Sequence, residues 1–362
     1  MRVVYLLGKD NNPDVINMTL EIVRKTEKSV FDIVGVFAAK PLSDAETDMP
    51  LNKSELCCYN PFELVRFRSF LVKNKVNIIH VQHITDVIFA KLASWRLPVK
   101  TVLTLQDKAL DVNGVFKLMV PCLLRRSDAL LFILDTQRKN VMSRYGIYQK
   151  KNFLVSNCLF PRKVDTVEEK SLRDKLFLPS DCYLIGTVGD FTAERDFLFV
   201  CKMVRQLWKK GRDFHCVIAG RRNKDISGLY NECVSYCLKK CILDYVTLIN
   251  TGDYDGVMKQ FDVFVYVVKS DNVGFDMIKA MSLGVPVVVN DTEVTRELSH
   301  NGKYAYLYKT DDVNDFAEKT NAVMRNENSR LIAEVVKNEV NVQYNASSYI
   351  TKMKNVYEDI VN

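Results

Sequence analysis

At 362 residues, 48% hydrophobic and 26% charged, the chain is too long for one ordinary core and has the make-up of a globular protein of two α/β domains. No segment reaches the roughly 18 uninterrupted apolar residues of a membrane span, so no membrane-crossing helix is expected. The net charge of +7 comes from the first part, where residues 1–160 hold 23 Lys/Arg against 15 Asp/Glu while the remainder holds 28 against 29.

The chain opens on MRVVYLLGKDNNPD, a short apolar run without the longer apolar region and small-residue cleavage site of a secretory signal, so a cytoplasmic protein is expected. Short β-branched or aliphatic runs then alternate with amphipathic stretches: VVYLL, a helix pattern over 14–28, FDIVGVF, a helix over 61–73, NIIHVQ, VKTVLTL, DALLFIL and NFLVSN. That alternation is the pattern of βαβ units on a parallel sheet. A polar, proline-containing stretch over 161–176 reads as a linker. The alternation restarts with YLIGTVG, FHCVIAG, YVTLIN, DVFVYVV and VPVVVN, giving a second doubly wound domain over 177–340. Residues 341–362 end in a helix with Ile350, Met353, Val356, Tyr357 and Ile360 on one face, expected to pack back on the first domain, residues 1–160. Ligands of such open sheets bind at the carboxyl ends of the strands, so chemistry is expected in a central cleft between two Rossmann-like domains.

Ten cysteines scattered over a chain of this length read as reduced core residues rather than a disulfide framework. Cys233, Cys237 and Cys241 share one predicted helical face, which core packing explains better than a metal centre, and with four histidines in the chain no metal site is expected. His215, in mid-strand, reads as buried. There is no G-x-G-x-x-G after a first strand and no Walker A sequence, against a dinucleotide or P-loop enzyme. No nucleic-acid-binding module accompanies the basic excess, which fits either a solvated surface or attraction to an anionic membrane surface or acidic acceptor. The stripe Leu64, Phe67, Leu71 and Val72 with Arg66, Arg68 and Lys73 reads as an ordinary lobe helix or an interfacial membrane helix.

The most informative segment is SDNVGFDMIKAMSLGVPVVVNDTEVTRELSHNG, residues 270–302. Asp271, Gly274, the Ala280-Met281 pair, the Gly284-Val285-Pro286-Val287-Val288 strand entry, Glu297 and Gly302 resemble the donor-binding segment of glycosyltransferase family 4, of GT-B fold. The resemblance is close over 185–316 and loose over the first domain. It implies a retaining transferase that moves a sugar from a UDP- or GDP-linked donor to a growing cell-surface polysaccharide or lipid-linked glycan. It implies no cofactor, no metal, no nucleic-acid partner, and a place in the cytoplasm or peripherally on the inner face of the membrane. Backbone N–H groups near Gly274 and Phe275, at a helix start, suit a diphosphate.

The same resemblance assigns Asp271, with its neighbour Asn272, to the donor sugar, and IGTVGDFTAERDF to the loop that clamps the diphosphate. Gly189 matches that loop and Arg195 stands where the family has Lys, but Asp190 replaces an Arg and Lys279 replaces the Glu that usually holds the ribose. One resolution is a compensated site in which Arg195 and Lys279 flank the phosphates and Asp190 steers one of them; Arg195, Lys279 and Asp271 are then the catalytic set. Arg221 and Arg222 lie where the family has Gly-Asp-Gly-Pro and face either the cleft or solvent. In the first domain His80 and Asp107 match family strand ends, Gln82 and Gln106 replace histidines, and Gly8 begins a departure from the family's Gly-Gly loop. Gln can hydrogen-bond a hydroxyl but cannot take its proton. Gly8, His80, Gln106 and Asp107 are the acceptor-side candidates. The two charge reversals also fit a degenerate subunit that binds nucleotide sugar or a partner without turnover, and the fold also serves nucleotide-sugar epimerases, which rely on histidines and carboxylates.

Overall fold

Runs such as VVYLL and ALLF are apolar at every position because their strands are covered on both faces, as parallel sheets require. The computed structural model describes residues 1–7, 13–38, 52–55, 61–106, 115–160, 171–192, 195–211, 213–221, 227–267 and 274–362. Two units emerge: unit 1 is residues 1–160 with 344–362, and unit 2 is residues 161–343.

Unit 1 runs β1 (Arg2–Leu7), α1 (Pro13–Lys25), β2 (Asp32–Ala38), β3 (Asn52–Glu55), α2 (Pro61–Lys73), β4 (Ile78–Val81), α3 (Asp86–Ala93), β5 (Lys100–Leu105), α4 (Val115–Arg126), β6 (Ala129–Phe132), α5 (Asp135–Tyr145) and β7 (Asn152–Leu154). Its sheet is parallel in the order β3-β2-β1-β4-β5-β6-β7. Strand order reverses between β1 and β4, whose register pairs Tyr5 with His80. The edge strand β3 has the sequence NKSE, whose polar character gives no periodic signal. On α2, Leu64, Phe67 and Leu71 pack toward the core, and the outward apolar residues are Phe62, Val65 and Val72. Of the predicted stripe, only Val72 therefore faces out.

Unit 2 runs α6 (Leu172–Lys175), β8 (Tyr183–Val188), α7 (Phe197–Trp208), β9 (Phe214–Ala219), α8 (Ser227–Lys239), β10 (Val246–Ile249), α9 (Tyr254–Met258), β11 (Val263–Tyr266), α10 (Phe275–Ser282), β12 (Val287–Asn290), α11 (Glu293–Leu298), β13 (Tyr306–Tyr308), α12 (Val313–Arg325) and α13 (Ser329–Gln343). The parallel sheet has the order β10-β9-β8-β11-β12-β13, reversing between β8 and β11. Residues 171–176, read as linker, instead form a capped turn anchored in this unit. Ser171 caps α6, the Leu172 amide donates to Gln260 Oε1 at 2.6 Å, and Arg173 pairs with the buried carboxylate of Asp262. Asp262 also takes the Leu184 amide at 2.7 Å and pairs with Arg330.

The last helix, α14 (Ala346–Val361), belongs to unit 1 and buries Tyr349, Ile350, Met353, Val356, Tyr357 and Ile360. Its Tyr357 ring meets Phe31 edge-on at 5.2 Å. Cys201, Cys233 and Cys237 join one apolar core in unit 2. Cys241 departs from the predicted face: it follows the end of α8 with φ 55° and is exposed. Among the described residues no group of three His, Cys, Asp or Glu side chains is placed to hold a metal ion, and no helix is long and apolar enough to cross a membrane.

Candidate functional site

The switch point of unit 2 brings the residues after β8 and β9, the end of β11 and the start of α10 into one neighbourhood. Gly189, directly after β8, has φ 138°, and a Cβ there would sit 3.0 Å from Arg195 Nε. Gly220, directly after β9, approaches so closely that a Cβ would lie 2.1 Å from the Gly189 carbonyl oxygen. Only glycine permits that approach of two backbones.

Arg195 is held at this point by two neighbours. Its guanidinium lies over the Tyr266 ring, 4.9 Å from the centroid, and pairs with Asp276 in the first turn of α10. The side chains are only 13% and 9% exposed. Burial works against the charge of Arg195, but Tyr266 and Asp276 outweigh it and raise the guanidinium's pKa above its ordinary value. A fixed cation thus stands at the N-terminus of a helix. Gly274 starts that helix in the left-handed region with φ 69°, and a Cβ would strike Leu298 Cδ1 at 2.5 Å. The first hydrogen bond of the turn joins the Ile278 amide to the Gly274 carbonyl at 3.0 Å, so helix geometry leaves the amides of Phe275, Asp276 and Met277 outside the ladder. Amides outside the helix ladder, the positive end of the helix dipole and an arginine are together of the kind that suits a phosphate.

Two further charge couples border the same strand ends. Asp190 accepts from the Tyr254 hydroxyl and lies 3.4 Å from Arg221 Nε. The Arg221 amide reaches Tyr254 Oη at 3.3 Å, and its guanidinium lies 5.9 Å from the Tyr254 ring centroid. Burial first, then the bond to Asp190, raises the Tyr254 phenol pKa, so it stays a proton donor at neutral pH. One residue on, Asp255 stands 3.6 Å from Lys279 Nζ. The short helix α9, capped by Asp253, therefore supplies partners to both charge-reversed positions. This corrects the compensated arrangement expected from sequence: Asp190 steers Arg221 and Tyr254 rather than Arg195 or Lys279, and Lys279 is engaged with a carboxylate. Tyr254, Asp255, Tyr266 and Asp276 were not singled out in the sequence; Asp276, three residues before Lys279 at the head of a glycine-started helix, carried the only local signal.

Asp271 and Asn272 lie outside the described residues, as do Arg222, Gly8 and Asp107. A cavity of about 450 Å³ in unit 2 opens elsewhere, at the amino ends of β12 and β13, among Pro286, Tyr304, Tyr306, Ile332 and Val336.

In unit 1, His80 is fully buried. Its Nδ1 bonds the Tyr357 hydroxyl at 2.5 Å and its Nε2 bonds Thr104 Oγ1 at 2.6 Å. Burial pushes its pKa down to about 3. The neutral ring links β4, β5 and α14, which removes it from the acceptor-side candidates: it has no surface to offer a hydroxyl. Gln106 is buried as well and carries an amide chain. Asn157 Nδ2 donates to Gln106 Oε1 at 3.0 Å, and Gln106 Nε2 donates to Gln82 Oε1 at 2.6 Å. The chain ends on Gln82 Nε2, buried with no hydrogen-bond partner among the described residues, beside the β1/β4 reversal where the Gln82 amide bonds the Leu6 carbonyl at 3.0 Å.

Residues 168–338 match the family model of glycosyl transferases group 1. Unit 2 is a group 1 glycosyltransferase domain. The whole chain is similar in fold to a glycosyltransferase of Rickettsia africae, at 14% identity and TM-score 0.84, covering 100% of this chain and 98% of that one. It is similar to Anabaena HepE, solved with UDP and glucose, at 12% identity and TM-score 0.79, covering 99% and 100%. Sucrose-phosphate synthase of Thermosynechococcus elongatus matches at 14% identity and TM-score 0.74, with 99% of each chain covered. No curated protein sequence matches. At these identities the likeness is one of fold: two Rossmann-like units, the GT-B class, as the sequence led one to expect.

Proposed function

We propose that this glycosyltransferase takes a sugar from a UDP- or GDP-linked donor and transfers it, with retention at the anomeric carbon and without a metal ion, to a glycan or lipid-linked glycan. The observation that carries the proposal is Arg195, fixed by Asp276 and Tyr266 at the first turn of α10. Negative charge grows on the departing diphosphate in such a transfer, and a preorganised guanidinium and helix N-terminus aimed there lower the barrier. HepE, solved with UDP and glucose, makes uridine the first base to try. No proton transfer is assigned to His80, which burial keeps neutral.

The test is thermal stabilisation by uridine, guanosine, adenosine and thymidine diphosphates and their sugars, with and without chelator. One base should raise the melting temperature in chelator, and Arg195→Gln should abolish that rise while the unliganded protein still melts cooperatively. Product anomers read by NMR then report retention. A second reading has its own observation: Arg195, Arg221 and Lys279 each sit against a carboxylate, which suits a binding subunit without turnover. Stabilisation by a nucleotide sugar with no transfer or hydrolysis on any acceptor favours that reading.

A further inference from the structure

The cavity of about 450 Å³ in unit 2 lies at the opposite end of the strands from the switch point and Arg195. Its walls are the chain entering β12 (Val285, Pro286), the chain entering β13 (Ala305, Tyr306) and the buried side of α13. All of them belong to unit 2. Val285, Ala305, Ala333 and Val336 border the open volume although each is only 4 or 5% exposed, so the floor of the cavity reaches the core. Side chains facing such a void lack packing partners on one side. Volumes in this range are those of small-molecule sites, which set a few placed polar groups in a mostly apolar wall.

The polar groups of this wall favour one sign of charge. Lys303 and Lys319 line it, and among the described residues no Asp or Glu does. The two lysines differ in what holds them. Lys303 stands 3.4 Å from Glu339 Oε2, and the Tyr304 hydroxyl donates to the same carboxylate, so that couple is already closed. Lys319 is half-buried and makes no ion pair among the described residues. The Tyr306 hydroxyl accepts from Asn326 Nδ2 at 3.2 Å, which leaves its own proton to donate. Ser329, the first residue of α13, also lines the cavity and brings the positive end of that helix to the same wall. An unpaired ammonium and a phenol with a proton to give suit one negative charge, and the aliphatic floor suits a hydrocarbon.

We propose that this cavity is a second ligand site, separate from the nucleotide-sugar site, for a small carboxylate with a hydrocarbon body, its head beside Lys319 and its tail against Ile332, Ala333 and Val336. The proposal goes beyond the transfer reaction and does not rest on it, since occupancy is read without donor or acceptor. Calorimetric titration with octanoate should show one molecule bound per chain. Hexanoate should bind about tenfold or more weakly, because each methylene lost from a buried tail costs roughly fourfold in affinity. 1-Octanol, with the same tail and no charge, should bind about tenfold more weakly than octanoate. Lys319→Gln should bring octanoate down to the level of octanol and leave octanol unchanged. Ala333→Phe, which fills the volume with a ring, should remove the binding of both, and Arg195→Gln should alter neither. A melting transition as cooperative as the parent's would certify the variants as folded, and Lys319→Gln, at an unpaired side chain, carries the test alone where Ala333→Phe does not fold. No octanoate binding, equal affinity for octanoate and octanol, binding indifferent to tail length, or a Lys319→Gln protein that binds octanoate like the parent would overturn the proposal. So would loss of octanoate binding in Arg195→Gln or its displacement by uridine diphosphate, because the carboxylate would then sit at the switch point.

Discussion

Asp276→Asn should tighten nucleotide binding while weakening the fold, and the two signs together test the site. The carboxylate of Asp276 stands in the first turn of α10 and pairs with Arg195, both nearly enclosed. Any diphosphate bound at those amides meets that negative charge. At about 5 Å with an effective dielectric of about 20, one such repulsion is about 3 kcal/mol. Against it stands the looser hold on Arg195, about 1 kcal/mol for a charge-assisted bond reduced to a neutral one. The net gain is about 1–2 kcal/mol, or roughly 5- to 30-fold in affinity. The unliganded protein loses about 2 kcal/mol, less than the loss of a fully buried partner because the amide still accepts from the guanidinium. For a unit of this size that is about 5 °C of melting temperature. Calorimetric titration with the stabilising nucleoside diphosphate, beside thermal melts, measures both. Affinity that falls as far as in Arg195→Gln would show Asp276 to be a positioning residue for the cation. Unchanged affinity would place the phosphates away from α10.

Three other outcomes follow from the geometry. Gly220→Ala puts a Cβ against the Gly189 carbonyl and should cost stability by about 2 kcal/mol or more with loss of the nucleotide-induced shift; Gly228→Ala, in α8 with nothing within 4 Å of the new carbon, should be neutral or slightly stabilising in the same urea titration. Lys279→Glu sets a second carboxylate beside Asp255 and should weaken nucleotide binding about tenfold; an improvement in calorimetric affinity would mean that the ribose, not the phosphates, governs this position. His80, with its pKa pushed from 6.5 to about 3, takes a proton in the unfolded chain before the folded one. Stability should therefore be full above about pH 6.5 and fall toward pH 3, with a slope approaching 1.4 kcal/mol per pH unit. Urea midpoints should show that slope flattened in His80→Gln, and an unchanged slope would count against the buried neutral ring.

The strands were legible in the sequence because a parallel strand covered on both faces leaves an unbroken apolar run, and its carboxyl end is marked by what interrupts it: Gly189 after YLIGTV, Gly220 after FHCVIA, Gln82 after IIHV. The edge strand β3 escaped because NKSE carries no such run. Local pattern also picked out Gly189, Arg195 and Gly274, which the fold brings together at the switch point of unit 2. Pairings set by topology were not legible. Arg195 and Asp276 are 81 residues apart, Asp190 and Tyr254 are 64 apart, and His80 and Tyr357 are 277 apart. Strand order, which no short motif encodes, brings each pair together. That is why the charge reversals at Asp190 and Lys279 look like losses in one dimension. In the fold, α9 lies beside both positions and presents Tyr254 to one and Asp255 to the other, so a donor and a carboxylate stand where the substituted side chains need them. A reversed charge that costs an isolated site its ligand instead redistributes the couples around the same strand ends, leaving Arg195 as the cation paired in the first turn of α10.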